Sequence, residues 1–569
     1  MKNRIKRIAA PLALASVMIG LAACLTLLDL RAWPSTAAQS ANIKWFSSPA
    51  LQGDSAIRRL KREGLYVSSQ KGAETRRRPA PGTIFLYPER IRLKGGGLAE
   101  AERGMIFVPL NRSDTKGPVI GVEFYRFRAR AGASANAAPI FRLHGGPGFR
   151  GLADRFAEPG YYEDNIWPAA RTATGSFIEI GDLVVVGQRG IGTSKPDTLF
   201  DRAAAEAKEA AFLRGEIGEQ EAVTAMQDTW AQAELFWKGN GYDLRGFNVV
   251  EAAADVNDLR KALGYEKISL LGGSFGSHWA MTVMRYYPQS ITRAVLSGIE
   301  GPDHTYDMPG HVLNALQRIA AEAETSPELR DLIPRGGLIE AFKTTLARVE
   351  KEPVEILLAA PEAGKRRVRL GASAVRRLSL GYSGRAARRS EIRTWPADIL
   401  TLYKGDFQKA AEWAAQGGGS PYREASVFTL DCSSGISPER RARLKADPAG
   451  AIVGPLNWDL EVIAQIWKGD LGDEFRKNFH TDIPTLMVQG NWDVATPLEN
   501  AQELIPYFKN GKLVVVKGGS HAALVESLVV SESFRKAFRK FLADGDLSDI
   551  PNEIHLPPVQ WAVPNSAKP

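Results

Sequence analysis

The sequence predicts an α/β fold, a mostly parallel doubly wound sheet with an inserted helical cap, and three observations carry the prediction. Short apolar runs such as Leu183-Val184-Val185-Val186 have the near-continuous hydrophobicity of strands covered on both faces. Segments of helical period lie between them; from Val249 to Leu263, residues Ala252, Val256, Leu259 and Leu263 form one stripe. Alternation of the two is the signature of a doubly wound sheet, and two helix-rich stretches, residues 197–246 and 301–455, interrupt it. With 569 residues, 44% hydrophobic and 24% charged, the chain can bury a large core.

The N-terminal segment reads as an export signal. Lys2, Arg4, Lys6 and Arg7 precede an apolar stretch from Ile8 to Leu28. Leu21-Ala22-Ala23-Cys24 has the form of a bacterial lipobox, in which Cys24 would be lipidated and become the new N-terminus. The apolar run continues to Leu28, long enough for an uncleaved span, and Thr36-Ala37-Ala38 offers a cleavage site for release. Residues 1–38 are therefore expected to bring the protein to the periplasmic side of a bacterial membrane, anchored by lipid or by the span. They carry +4 of the net charge of +9. Cys432 is the other cysteine, so no disulfide forms once Cys24 is lipidated or removed. Cys432 is read as a small buried apolar residue and not as a nucleophile.

Residues 39–300 are read as the first part of the core. The strand Pro139 to Leu143 runs into His144-Gly145-Gly146-Pro147-Gly148. Glycines let the backbone approach a substrate carbonyl, and Pro147 stiffens the turn. The N–H of Gly146, or failing that Gly145, suits the stabilisation of an oxyanion. His144 is read as a support for the loop and not as a base.

Gly272-Gly273-Ser274-Phe275-Gly276 follows the apolar segment Lys267 to Leu271 and precedes a helical one from His278. A strand turning at once into a helix gives G-x-S-x-G its meaning: the serine hydroxyl is pushed out at the apex. The backbone N–H of Phe275 would then be the other oxyanion donor.

Residues 456–569 are read as the second part of the core. The strand Ile483 to Gly490 runs into Asn491-Trp492-Asp493, and Lys512 to Lys517 runs into Gly518-Gly519-Ser520-His521. Ser274, Asp493 and His521 stand in the chain order of an α/β-hydrolase triad, each directly after a strand. A serine hydroxyl is a poor nucleophile near neutral pH, so His521 would take its proton and Asp493 would hold the imidazole. No metal or other cofactor is expected, because the remaining histidines lack ligand spacing.

The cap, residues 301–455, carries Lys365, Arg366, Arg367, Arg369, Arg376, Arg377, Arg385, Arg388, Arg389 and Arg393 against Glu391 alone. The two readings are an anionic partner and a solvated helical face. The second is preferred, since no nucleic-acid motif accompanies the run and aromatic interleaving is sparse. Nucleic acid is not expected as a partner.

The loop from His144 to Gly148, the segment Gln188-Arg189-Gly190-Ile191-Gly192-Thr193-Ser194 and the Gly-Gly-Ser-Phe-Gly elbow resemble the prolyl aminopeptidase and tripeptidyl aminopeptidase branch of the α/β-hydrolases. Gly490-Asn491-Trp492-Asp493-Val494-Ala495-Thr496-Pro497 and Gly519-Ser520-His521 are similar to the end of the tripeptidyl aminopeptidase type. The sequence departs in having Gly187 where the family usually has an aspartate before Gln-Arg-Gly. The resemblance implies a serine aminopeptidase that releases proline or short peptides from the N-terminus of peptides. It also implies carboxylates that bind the protonated α-amino group, with Glu300 the first candidate and Asp303 and Asp307 competing. The alternatives are a carboxylesterase on the same triad, taking small esters, and a non-catalytic scaffold, against which the intact triad argues.

Overall fold

The computed structural model describes residues 79–92, 98–130, 133, 137–148, 177–360, 364–380, 388–416 and 424–564. The export segment read in residues 1–38 lies outside them. Among the described residues no helix is long and apolar enough to cross a membrane.

The strands, in chain order, are β1 (Ile84–Arg92), β2 (Leu98–Pro109), β3 (Val119–Phe127), β4 (Ile140–Leu143), β5 (Leu183–Val186), β6 (Ile268–Ser274), β7 (Ile291–Ile299), β8 (Val354–Ala360), β9 (Gly364–Leu370), β10 (Thr485–Gly490), β11 (Gly511–Lys517) and β12 (Glu553–His555). Ten of them form one sheet in the order β1-β2-β3-β5-β4-β6-β7-β10-β11-β12. From β5 to β12 every neighbouring pair is parallel. The antiparallel edge β1-β2-β3 joins at β5. Its apolar runs, Met105 to Val108 and Val119 to Val122, adjoin charges that pair laterally: Arg103 with Glu123 at 2.6 Å and Arg126 with Glu102 at 2.5 Å.

Successive strand residues feed two different apolar layers, as the pleat requires. Phe141, Leu143, Val184, Val186 and Leu270 pack with the helices Val249–Ala262 and Phe275–Tyr286 on one face. Ile140, Leu183, Val185, Leu271, Val488 and Val514 pack with Ala523–Val530 and Glu532–Asp544 on the other. Each such side chain contributes roughly 1.5–3 kcal/mol on burial. The helix Val249–Ala262 starts where Asn248 accepts a hydrogen bond from the Glu251 N–H at 2.9 Å, a side-chain cap for an otherwise orphaned donor.

The cap has its own apolar cluster, built from the helices Pro309–Glu324, Gly337–Lys351, Trp395–Tyr403 and Gln408–Gln416. It is mostly helical, with one antiparallel hairpin, β8 and β9, that the sequence reading did not include. Lys365, Arg366, Arg367 and Arg369 therefore lie on a strand. They are exposed, while Val368 and Leu370 of that strand are buried. Alternation of charge with two apolar residues is a strand pattern that the density of arginines hides. Arg377 leaves this face altogether, buried against Glu209 at 2.6 Å.

Two packing arrangements cut across the sequence divisions. The helix Ala425–Ser434, within 301–455, joins the core layer through Ala425, Val427, Phe428 and Leu430. Trp561, beyond the last strand, joins the cap cluster, 5.6 Å from the Trp492 ring. The same segment bonds the cap backbone, Ala562 N–H to Arg393 O at 3.0 Å.

Candidate active site

Strand β6 passes without a connecting loop into the helix Phe275–Tyr286, and Ser274 is the joint, with φ 58° and ψ −135°. Thr198 is the only other non-glycine residue at positive φ among the described residues. Such a conformation costs of order 1–3 kcal/mol and persists where the surroundings enforce it. Here they do. A Cβ on Gly276 would stand 2.1 Å from Leu143 O, and one on Gly272 2.3 Å from Gly276 O. Close approach of three backbone segments thus demands both glycines of the motif and leaves Ser274 partly exposed.

The loop after β4 faces this joint. A Cβ on Gly145 would lie 3.1 Å from Ser274 Oγ, so the serine side chain rests against that glycine. Gly146, with φ 104°, is the exposed residue next to it. Gln188 holds the loop: its Nε2 donates to His144 O at 3.0 Å and Gly145 O at 2.9 Å, and its Oε1 accepts from Gly148 N–H at 2.9 Å. Arg189, wholly buried, anchors the segment behind it with two bonds to Asp255, at 2.8 and 2.7 Å. The Gln-Arg-Gly triplet is therefore the scaffold of the loop. An aspartate at position 187 would not fit unchanged, since a Cβ there would stand 2.6 Å from Glu123 O.

Asp493 and His521 are joined, Oδ2 to Nδ1 at 2.9 Å, with the carboxylate fully buried and the imidazole 19% exposed. Burial alone would push the His521 imidazole down. Asp493, then Asp307 and Glu526, raise it above its ordinary value. Burial pushes Asp493 up, and His521 and Thr496 hold it below the usual carboxylate range. The His521 ring lies on Gly298 of β7: a Cβ there would be 2.7 Å from Cε1 and 3.3 Å from Nε2. Ile299, the next residue, is the register partner of Ser274. The nucleophile candidate and the imidazole thus border the same short piece of β7.

Glu300 follows that piece directly. Its N–H donates to Ser277 Oγ at 2.9 Å, and Ser277 Oγ donates to Ser274 O at 2.7 Å. Burial raises the Glu300 carboxyl well above its ordinary range, and Asp431 and Asp307 add to the shift. Asp431 is likewise raised by burial and then by Asp307. Burial pushes Asp307 up to about 7, against the pull of Arg440 and Asn457. None of the three makes an ion pair among the described residues, and each keeps partial solvent exposure. Asp303 stands apart: it accepts from Ser437 N–H at 2.7 Å and Ser437 Oγ at 2.5 Å, at the start of the helix Pro438–Ala446.

Sequence reasoning missed Asp431, Gln188 and Gly298. Gln188 stands inside a motif that the sequence displays, and a glycine within a strand signals a bulge; Asp431 left no signal. Among the described residues no group of His, Cys, Asp and Glu is arranged to hold a metal ion. Cys432 is buried, and burial pushes its thiol well up.

The family model described as alpha/beta hydrolase fold matches residues 227–333, and the one described as TAP-like protein matches residues 465–553. The chain is 23% identical over 447 residues to the tripeptidyl aminopeptidases of Streptomyces lividans and Streptomyces coelicolor, covering 74% of this chain and 77% of each relative. A solved structure of a proline iminopeptidase-related protein from Thermus thermophilus is similar at 15% identity and TM-score 0.31, over 77% of this chain and 97% of that one.

Proposed function

Because the chain is an α/β-hydrolase with a TAP-like C-terminal region, we propose that it is a serine aminopeptidase that releases N-terminal residues from short peptides. The observation that carries this reading is the cluster of Glu300, Asp307 and Asp431 beside the Asp493–His521 pair. Three buried carboxylates gathered with no cation in ion-pair contact among the described residues are costly. A protonated α-amino group bound among them would relieve that cost and fix the first residue of a peptide relative to Ser274. A carboxylesterase would have no use for them.

In this reading Nδ1–H of His521 is committed to Asp493, which leaves Nε2 to take the proton from Ser274 as its oxygen attacks the scissile carbonyl. The N–H groups of Phe275, at the helix start, and Gly146 receive the oxyanion. The imidazolium then protonates the leaving amine, and water, activated the same way, hydrolyses the acyl-enzyme. The relatives' names point to tripeptide release, and we extend that preference to this chain. The composition of residues 1–38 supports action outside the cytoplasmic membrane.

The test compares a tripeptide anilide, proline anilide and a simple acyl ester, each anilide with free and acetylated amino termini. Hydrolysis of the free anilides and loss of at least about a hundredfold on acetylation is expected for a desolvated charge contact. Equal rates on both forms, or activity on the ester alone, would refute amine recognition.

A further inference from the structure

We infer that Gln489 is a positioning residue, whose side-chain amide fixes the Asp493 carboxylate against the strand bordering Ser274. The inference rests on the serine-hydrolase reading above and adds a residue to it.

The backbone ladder between β10 and β7 ends at Val488 opposite Ser297. Beyond that pair β7 turns through Gly298 at φ 56°, and the β6–β7 register shifts between Gly273 and Ser274. Backbone groups of β7 would be left unpaired where the site needs them placed. The Gln489 side chain takes over. Its Oε1 accepts from Ile299 N–H at 2.8 Å, while its Nε2 donates to Asp493 Oδ2 at 2.9 Å and to Thr496 O at 2.6 Å. One of the three partners is a donor and two are acceptors, so a single orientation of the amide satisfies them all. Gln489 is fully buried, and its neutral amide supplies the one acceptor and two donors that these positions require.

The Asp493 carboxylate is thereby over-determined. Its Oδ1 accepts from the N–H groups of Ala495 and Thr496, both at 3.0 Å. Its Oδ2 receives Thr496 Oγ1 at 2.8 Å and Gln489, besides His521. Thr496 Oγ1 also lies 3.1 Å from His521 Nδ1. The loop bonds orient the carboxylate within its own turn. Gln489 alone among these donors ties it to β7, on which the imidazole lies. The charged groups facing His521 are Asp493, Asp307 and Glu526, and substitution of Gln489 leaves all three in place.

The experiment follows the second-order rate of labelling by a fluorophosphonate across pH, on the full chain, with folding checked by thermal melting. It requires no knowledge of the natural substrate. Gln489→Leu should label at least about tenfold more slowly, with the acid limb displaced upward, because a carboxylate with one donor fewer holds the imidazolium proton more tightly. A rate within twofold of wild type, or a loss with an unmoved limb, would overturn the inference. If Gln489→Leu does not fold, Gln489→Met, of similar length and without the amide, replaces it and is read by the same two criteria, slower labelling and a displaced acid limb; failure of either overturns the inference. Ser274→Ala serves as the separate control. Labelling that persists in that variant refutes the serine-hydrolase reading itself, and the role of Gln489 with it.

Discussion

The imidazole of His521 rests directly on Gly298: a Cβ added at that position would stand 2.7 Å from Cε1 and 3.0 Å from Nδ1, at a backbone φ of 56°. Gly298→Ala should therefore strain the backbone and lift the ring off its bed together. We expect labelling by a fluorophosphonate to slow by about a hundredfold, the cost of displacing a catalytic group by roughly 1 Å. Retention of the wild-type rate in a folded variant would show that the ring is held elsewhere.

Asp307 sets the pH response of the same imidazole. Since it helps to raise His521 above its ordinary 6.5, the acid limb of kcat/KM should lie above that value in wild type. Asp307→Asn removes a negative neighbour, favours the neutral imidazole and should move the limb to lower pH. The measurement uses an acyl ester without an amino group, so that substrate recognition does not intervene. An unmoved limb would place Asp307 outside the electrostatic reach of His521.

The same carboxyl predicts a stability effect of definite sign. Burial holds its folded value at about 7 against an ordinary 3.8. The native state thus keeps a proton that the unfolded chain releases, and the stabilisation is full below the ordinary value and lost as pH rises through about 7. Asp307→Asn should melt higher than wild type above neutrality and converge with it near pH 4. That gain would come with weaker binding of free amino termini, the trade expected of a functional site.

Gln188→Leu should disorder the loop that faces Ser274. It would strand two carbonyls and one N–H that the amide now satisfies, at about 1–3 kcal/mol for each buried group left unpaired. Misplacement of the Gly146 N–H should lower kcat by roughly 10²–10³, as for loss of an oxyanion donor. A fall in melting temperature with kcat intact would show that the donor comes from another residue.

The sequence made the parallel strands legible because their apolar runs are continuous, and it located Ser274, Asp493 and His521 because each stands immediately after such a run. Glu300 was accessible by position, one residue beyond β7. Asp431 was not. It sits in a largely buried helix, Ala425–Ser434, and becomes a neighbour of Glu300 only when that helix packs against the core. The edge β1-β2-β3 and the hairpin β8-β9 were hidden for a related reason. Their apolar residues are interrupted by charges that find partners across strands or face solvent, which breaks the continuous run by which the parallel strands were read.

The order of strands in the sheet has a consequence for the life of the chain. Ser274 ends a strand made before the two that precede Asp493 and His521, and those two join the sheet on the far side of β7. In the proposed mechanism a growing polypeptide therefore carries its serine for a long interval with nothing to draw off the proton, and it becomes competent only when the segment bearing Asp493 and His521 joins the sheet.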